Sequence, residues 1–386
     1  MDPLLYHSDC RHFRGDIPCR PNKQEGVHCD GCPYYDPIKE NVLIIKLGAA
    51  GDVLRTTPIL RPLKTEHPKA RIWWLTHSPD LVPSSHVDRI LKWSSENINI
   101  LEALQFERVI NLDKDHYACA LASRLHASRK EGFTLGKYGE AEPASKKAQE
   151  KFTTGIFDDV SLANRKDYPT ELFEICGYKF QGEEYIIEAP EPEVFPGLDR
   201  SKPIVGMNTG AGARWTSRLW SIENWVKLAE QVLDSGKGVL LLGGPDEDAR
   251  NREIHHRTGG RAQYLGYFQL KQFIALMQQC DLIVTGVTMG MHIAIALKKK
   301  LVLVNNIFNP YEFGDLYGLG EIVQPDSQCK CFFRGECVNP DYFCLDRLSV
   351  EKMYAAIERV WHTERGKHKQ EPLQVPGMIL SKAPRA

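Results

Sequence analysis

Asp52 follows the small-residue turn Gly48–Gly51, which itself follows the apolar run Val42–Leu47, and a carboxylate at such a corner can do two things. It can cap a helix, satisfying free backbone N–H groups and complementing the helix dipole. It can also take a proton from a substrate hydroxyl. A second set of chemically capable residues lies in the C-terminal half. In Asn208–Arg218, NTGAGARWTSR, Thr209 and Gly210 offer backbone N–H groups and a hydroxyl, and Arg214 and Arg218 offer guanidinium groups to phosphate oxygens. In Gly243–Glu247, GGPDE, glycines permit close backbone approach and Glu247 could accept hydrogen bonds from a ribose. In Gly286–His292, GVTMGMH, the turn through Thr288, Met289 and Gly290 leads into a helix that carries His292, and its free N–H groups suit a pyrophosphate.

Each feature also has an ordinary structural role. Glycines after strands make turns, Arg218 could flank a solvated helix, and His292 could be a satisfied core histidine. Three such strand ends on one half, with a lone carboxylate turn on the other, fit a nucleotide-activated donor held by the C-terminal half. The acceptor then belongs to the N-terminal half, with Gly51 and Arg55 on its side.

Eight of the eleven cysteines fall into two groups. Cys10, Cys19, Cys29 and Cys32 lie in a leader with little apolar periodicity, which cannot make its own hydrophobic core. Four thiolates around one ion would fix it instead, and Cys29-x-x-Cys32 has the spacing of a tetrahedral metal knuckle. His12 and His28 could replace a cysteine as ligands, and reduced, unligated thiols are the alternative. Cys329, Cys331, Cys337 and Cys344, in CKCFFRGECVNPDYFC, could likewise wrap one zinc or iron ion, against free thiols or one labile disulfide. The two groups could combine. Cys119, Cys176 and Cys280 sit in apolar helical contexts and read as core.

The elements that position these residues alternate between strand and helix. Val42–Leu47 reads as a buried parallel strand interrupted by Lys46, followed by a helix that Pro58 and Pro62 bend. Ala70–Thr76, Arg108–Asp113 and a segment near Glu131–Thr134 read as further strands, and 137–170 as loop and short helix. The Pro-rich, acidic stretch Glu188–Pro203 has linker composition. Beyond it the alternation restarts: strands at Pro203–Gly210, Gly238–Gly244, Asp281–Gly286 and Leu301–Asn305, with a helix through Trp225, Leu228, Ala229 and Val232. The expected class is α/β, two Rossmann-like doubly wound domains facing a central cleft. The expected divisions are a Cys-rich leader at 1–40, an acceptor domain at 41–190, a linker at 191–203 and a nucleotide-sugar domain at 204–361 with its Cys-rich insertion at 329–344. A helix at about Val350–Trp361 can cross back onto the other domain, and 362–386 reads as a loosely packed or disordered tail.

Length and composition agree with this reading. The 386 residues suit two domains; 42% are hydrophobic, 26% are charged and the formal net charge is −1. A near-neutral chain has no global electrostatic reason to bind nucleic acid, which favours a small-molecule or saccharide partner. Neither a membrane span nor a basic-then-apolar signal is evident, so the expected location is the cytoplasm, in reach of the inner membrane face.

In the order IIKLGAAGDVLRTTPILRPLK, then Thr209–Leu233, then LLGGPDE, then VTGVTMGMHIAIAL, the chain resembles glycosyltransferase family nine, the heptosyltransferases of lipopolysaccharide core assembly. The resemblance covers about Val42–Trp361. It implies a GT-B fold with the active site between its two Rossmann-like domains and metal-independent, inverting transfer from ADP-heptose to a saccharide or glycolipid acceptor. It further implies Asp52 as general base, Arg218 as the basic residue of the phosphate motif, Glu247 on the ribose, Thr288, Met289 and His292 at the phosphate turn, and Phe268 near the adenine. Val287 stands where the family commonly has an aspartate, and Arg218 where it has a lysine. The Cys329–Cys344 region distantly resembles bacterial autotransporter heptosyltransferases with cysteine-ligated iron, which makes structural zinc or iron the expected metal. Two other readings are a non-catalytic nucleotide-sugar-binding or partner-binding scaffold held by Cys–metal clusters, and an NAD-dependent oxidoreductase. KLGAAGD does not supply the G-x-G-x-x-G that the last would need.

Overall fold

The computed structural model describes residues 5–212 and 215–378. They divide into two compact units: the first takes the chain up to Gly48, Ile59–Gln149 and Ile175–Tyr178, and the second takes Ala49–Pro58, Glu150–Glu174 and the chain from Lys179 onward. The segment that carries Asp52 therefore belongs with the C-terminal half, although the expected domains put it in the N-terminal one.

The first unit is built on a six-stranded sheet of order β3-β2-β1-β4-β5-β6, with β1 Glu40–Ile45, β2 Ala70–Thr76, β3 Arg89–Lys92, β4 Gln105–Asn111, β5 His126–Leu135 and β6 Ala141–Pro143. All pairs are parallel except β5–β6. β1 lies between β2 and β4, which is why its sequence is an almost unbroken apolar run. Lys46 ends that run, buried, and it is tolerated because its ammonium pairs with Asp113 just past the end of β4; the Leu47 N–H donates to the same carboxylate. β3 and β6 are short and partly exposed, so they carry no run of apolar residues by which sequence could mark them.

The leader belongs to this unit. Between residues 5 and 39 only Cys10 and Pro21 are buried, and the one helix there, Arg20–Glu25, has Pro21 in its first turn. Arg11 ties the segment to the sheet, pairing with Asp36 at 2.8 Å and Asp88 at 2.6 Å and donating to the Ala70 carbonyl.

The second unit carries a five-stranded, wholly parallel sheet of order β11-β10-β9-β7-β8, with β7 Ile204–Asn208, β8 Gly238–Leu242, β9 Leu282–Gly286, β10 Lys300–Val304 and β11 Gly320–Val323. Chain direction across the sheet reverses between β7 and β9, the place where doubly wound sheets open a crevice. The helix Ile222–Asp234 is capped by Ser221 and buries Trp225, Leu228, Ala229 and Val232, as its spacing requires. Met353, Ala356, Ile357 and Val360 of the helix Val350–His362 join that same core. The tail is not loose over its described length. The Gln370 amide pairs with both the N–H and the carbonyl of Ile322 in β11, and Gly377 N–H donates to Cys329. The segment 137–170 holds β6, two short helices and the start of a third; Asn164 N–H donates to Val160 at the end of Asp158–Ala163, and the Asp167 carboxylate accepts from Thr170 N–H at the start of Tyr168–Ile175. No helix among the described residues is long and apolar enough to cross a membrane.

Removing one partner of a buried ion pair leaves an uncompensated charge. Asp113→Ala should therefore destabilise the protein by about 3–5 kcal/mol, read as a lowered urea midpoint with unchanged far-UV circular dichroism in the absence of denaturant.

Candidate active site

The C-terminal ends of β7, β8 and β9 converge on one cavity of about 520 Å³, and every residue lining it belongs to the second unit. That size suits a nucleotide-scale ligand. From the end of β7, Asn208 lies beside Thr285 in register and its amide donates to Thr285 Oγ1 at 2.9 Å and Thr288 Oγ1 at 3.0 Å. Thr288 in turn caps the helix Met289–Ala296 by accepting from Gly290 N–H at 3.1 Å. This fixes the N-terminus of that helix, with Thr288, Met289 and Gly290, at the cavity wall.

Arg218 ends the short turn Thr216–Arg218 and lines the cavity. Its guanidinium is held by two carbonyls, Val287 and Ala211, and lies over the rings of Trp215 and Phe308 at 5.0 and 5.2 Å. No carboxylate among the described residues pairs with it, and its buried Nε has no partner there. Burial alone lowers its pKa to about 10, so it remains a cation at neutral pH.

Glu247 is held in place by backbone. Its carboxylate accepts from Gly244 N–H at 2.9 Å and Gly212 N–H at 3.3 Å, and a side chain on Gly210 would collide with it. Ionised oxygens have capacity beyond these two bonds.

Asp52 reaches the same cavity from the helix Ala50–Thr56. It is not the cap: Ala49 occupies that position, with no side-chain capping bond, and the Asp52 carboxylate pairs with Arg55 Nε at 2.9 Å. Burial opposes the Arg55 charge, but Asp52 together with Tyr168, Tyr185 and Glu312 outweighs it, and the guanidinium is held above its usual value. Arg55 also stacks on Tyr168, 3.4 Å from the ring centroid. The helix is brought this close by Gly51, where a Cβ would lie 2.4 Å from His292 Cδ2. His292 is buried and shares a 3.3 Å hydrogen bond between Nδ1 and the Tyr185 hydroxyl. Burial, with a smaller push from Arg55 and against Asp52, lowers its pKa to about 3, so the ring is neutral.

The structure thus gathers Gly51, Asp52, Arg55, Gly210, Arg218, Glu247, Thr288, Met289, Gly290 and His292 round one cavity. Arg214 lies outside the described residues. Thr209 does not line the cavity; its hydroxyl donates to Asn251 at 2.6 Å and ties the end of β7 to the helix Asp248–Arg257, which follows β8. Phe268 also lies off the wall, edge-on to Phe195, and Phe273 lines the cavity instead. Sequence reasoning missed the aromatic wall of Trp215, Phe308 and Phe333, whose rings meet in pairs at 5.3–5.8 Å. It also missed Glu312, a second carboxylate on the lining. The signal for Glu312 was present, since it follows β10 as Glu247 follows β8.

The cysteines separate into different units. Cys10, Cys19, Cys29 and Cys32 line one small cavity of the first unit together with His7 and His12, and His28 is not on it. Among the described residues, only Cys329, Cys331 and Cys344 form a group whose ligand atoms all lie within 4.8 Å of one another, as a shared metal ion would need. Cys337 Sγ lies 3.7 Å from Cys331 Sγ.

The family model for glycosyltransferase family 9 (heptosyltransferase) matches residues 98–342. The chain belongs to this family. It is similar to lipopolysaccharide heptosyltransferase 2 of Escherichia coli (strain K12), 25% identical over 179 residues that cover 40% of this chain and 51% of that protein. The chain therefore spans about half the length of that curated relative. Its fold resembles that of a family 9 glycosyl transferase from Veillonella parvula DSM 2008, with a TM-score of 0.64 at 17% identity, covering 84% of this chain and 97% of that one. It also resembles E. coli heptosyltransferase WaaC solved with ADP-2-deoxy-2-fluoro heptose, with a TM-score of 0.57 at 18% identity, covering 82% and 99%. The α/β, GT-B class expected from the sequence is the class of these family 9 structures.

Two outcomes follow from the helix contact. Gly51→Ala should destabilise the protein by about 1–3 kcal/mol through overpacking against a buried ring, measured by urea unfolding. His292 has a folded pKa below its unfolded value of about 6.5. The unfolded chain therefore binds the proton first, and the contribution to stability is complete above about pH 6.5 and lost progressively as pH falls towards 3. Between about pH 7.5 and pH 5, the urea midpoint of the wild type should fall more than that of His292→Gln.

Proposed function

We propose that this protein transfers a heptose-type sugar from ADP-heptose to a saccharide acceptor of lipopolysaccharide or a related glycan, with inversion at the anomeric carbon. The observation that carries this reading is Arg218, a partly buried guanidinium on a cavity wall with carbonyl partners and, among the described residues, no carboxylate partner. Such a charge is costly unless an anion joins it. The capped N-terminus of Met289–Ala296 stands on the same cavity, and together they suit a diphosphate.

In this reading the donor's diphosphate lies between Arg218 and the N–H groups at Thr288–Gly290, and Glu247 accepts from the ribose hydroxyls. Asp52, from the other side of the cavity, takes the proton of the acceptor hydroxyl as that oxygen attacks the anomeric carbon. The C–O bond to the diphosphate breaks with its electron pair leaving on ADP. Arg218 and the helix N-terminus stabilise the negative charge that develops there. Attack opposite the leaving group inverts the configuration. Arg55 holds the Asp52 carboxylate, and Tyr168 supports Arg55 from below its plane. Family membership and the fluorinated heptose donor held by the E. coli relative support the choice of donor. The transfer chemistry of these residues needs no metal.

The test separates binding from chemistry. Arg218→Ala should weaken ADP binding by about 10–100-fold, measured by calorimetry. Asp52→Asn should lower transfer by about 10²–10⁴-fold and leave ADP affinity unchanged. Tight ADP binding without turnover on any saccharide acceptor would instead make the protein a nucleotide-sugar-binding scaffold, and full activity in Asp52→Asn would remove Asp52 as the base.

A further inference from the structure

The Cys-rich segment and the cavity are joined by hydrogen bonds. Cys331 and Cys337 bracket the five residues Phe332–Glu336, and the carbonyls of that short loop hold the turn that ends in Arg218. Ser217 N–H donates to Gly335 at 2.9 Å, Ser217 Oγ donates to Arg334 at 2.6 Å, and Thr216 Oγ1 donates to Gly335 at 3.3 Å. Phe333, in the same loop, is on the cavity wall at φ +51°, a left-handed conformation that a bulky residue holds only under constraint.

Four sulfurs stand where a constraint could act. Those of Cys329, Cys331 and Cys344 are mutually within 4.8 Å, and that of Cys337 is 3.7 Å from Cys331. Backbone N–H groups already point at two of them, Cys331 N–H at Cys329 Sγ (3.3 Å) and Val338 N–H at Cys331 Sγ (3.2 Å). Bonds of that kind offset the excess negative charge of thiolates bound to a divalent ion. Ile307 and Phe308 pack against the cluster, with Trp215 beside them, so the aromatic wall of the cavity and the sulfurs share one apolar patch.

We infer that Cys329, Cys331, Cys337 and Cys344 bind one thiophilic divalent ion, zinc or ferrous iron, and that this ion positions Arg218 and Phe333 for the donor diphosphate. Closed tetrathiolate sites of this kind are structural: they fix chain geometry and leave no open coordination position for substrate. The four cysteines act through the loop 332–336 and are positioning residues. Loss of the ion frees that loop, and with it the three hydrogen bonds that seat the Arg218 turn. The second half of this inference rests on the donor-site reading above; the ion itself does not.

The experiment uses the full chain purified without oxygen. Elemental analysis should find one equivalent of zinc or iron less in Cys337→Ser than in the wild type, a difference that is independent of anything held by the leader cysteines. Stripping the wild type with a chelator should weaken ADP binding about tenfold, with zinc alone restoring it, and far-UV circular dichroism should stay unchanged. Stripping and reloading is needed beside the variant because the variant could fail to fold. In Arg218→Ala, stripping should leave ADP affinity where it already is, a result that a general loss of structure would not give. Equal metal content in wild type and Cys337→Ser overturns the site. Equal ADP affinity with and without the ion overturns the positioning role. Failure of metal-loaded wild type to bind ADP overturns the donor-site reading and this role together, while the metal content still decides the site.

Discussion

A guanidinium with two carbonyls for partners, two aromatic rings over its face and, among the described residues, no carboxylate is an arrangement that a folded chain holds only if something else secures it. Around Arg218 that security comes from distant parts of the sequence. Val287 and Ala211 accept from the guanidinium, Ser217 is clamped by the carbonyls of Arg334 and Gly335, and Asn306 donates to the Ser217 carbonyl. Three strand ends and one Cys-rich loop thus meet at a single cation. The consequence is a cavity whose wall already carries the positive charge that a diphosphate would require, without side-chain rearrangement to create it.

The negative side of the cavity depends on a different constraint, the absence of a side chain. Gly51 lets the helix Ala50–Thr56 approach the buried imidazole of His292 so closely that any side chain there must displace the ring or the helix. The neutral state of His292 follows from the same closeness, since burial disfavours its charged form and leaves Arg55 as the cation that meets Asp52. A helix that begins in the loop after β1 is in this way made part of the second unit, and its carboxylate faces the same space as Arg218.

The cysteine segments contrast in how they are held. The leader has almost no buried side chains of its own and is tied down by Arg11 and by the turns around its four cysteines, which surround one small cavity. The later segment brings its sulfurs within ligand distance of one another and shares an apolar patch with the cavity wall. The described part of the tail then runs beside it, through Gln370 on β11 and Gly377 on Cys329. Residues that look polar and unpatterned in sequence are here ordered by side-chain amides pairing with backbone, for which hydrophobic periodicity gives no sign.

What the sequence determined by itself was local: buried parallel strands from continuous apolar runs, the helix Ile222–Asp234 from its spacing, and the three glycine-rich strand ends that turn their N–H groups and charges to one sheet edge. These follow from backbone geometry and burial, which act over a few residues, and the family motifs sit on those same strand ends. The short edge strands β3 and β6 escaped because they bury too little to leave a pattern, and β11, though buried, because four residues that include Gly320 and Glu321 are too few to make an apolar run. Only the tertiary structure decided which side chains face the cavity. Thr209 turns to Asn251, Phe273 stands in place of Phe268, and Asp52 leaves the cap position for Arg55. It also brought in Glu312 and the wall of Trp215, Phe308 and Phe333. The aromatic wall depends on contacts between segments far apart in the chain, such as Ser217 with Gly335, and a sequence pattern carries the periodicity of one element but not the partner that another will present.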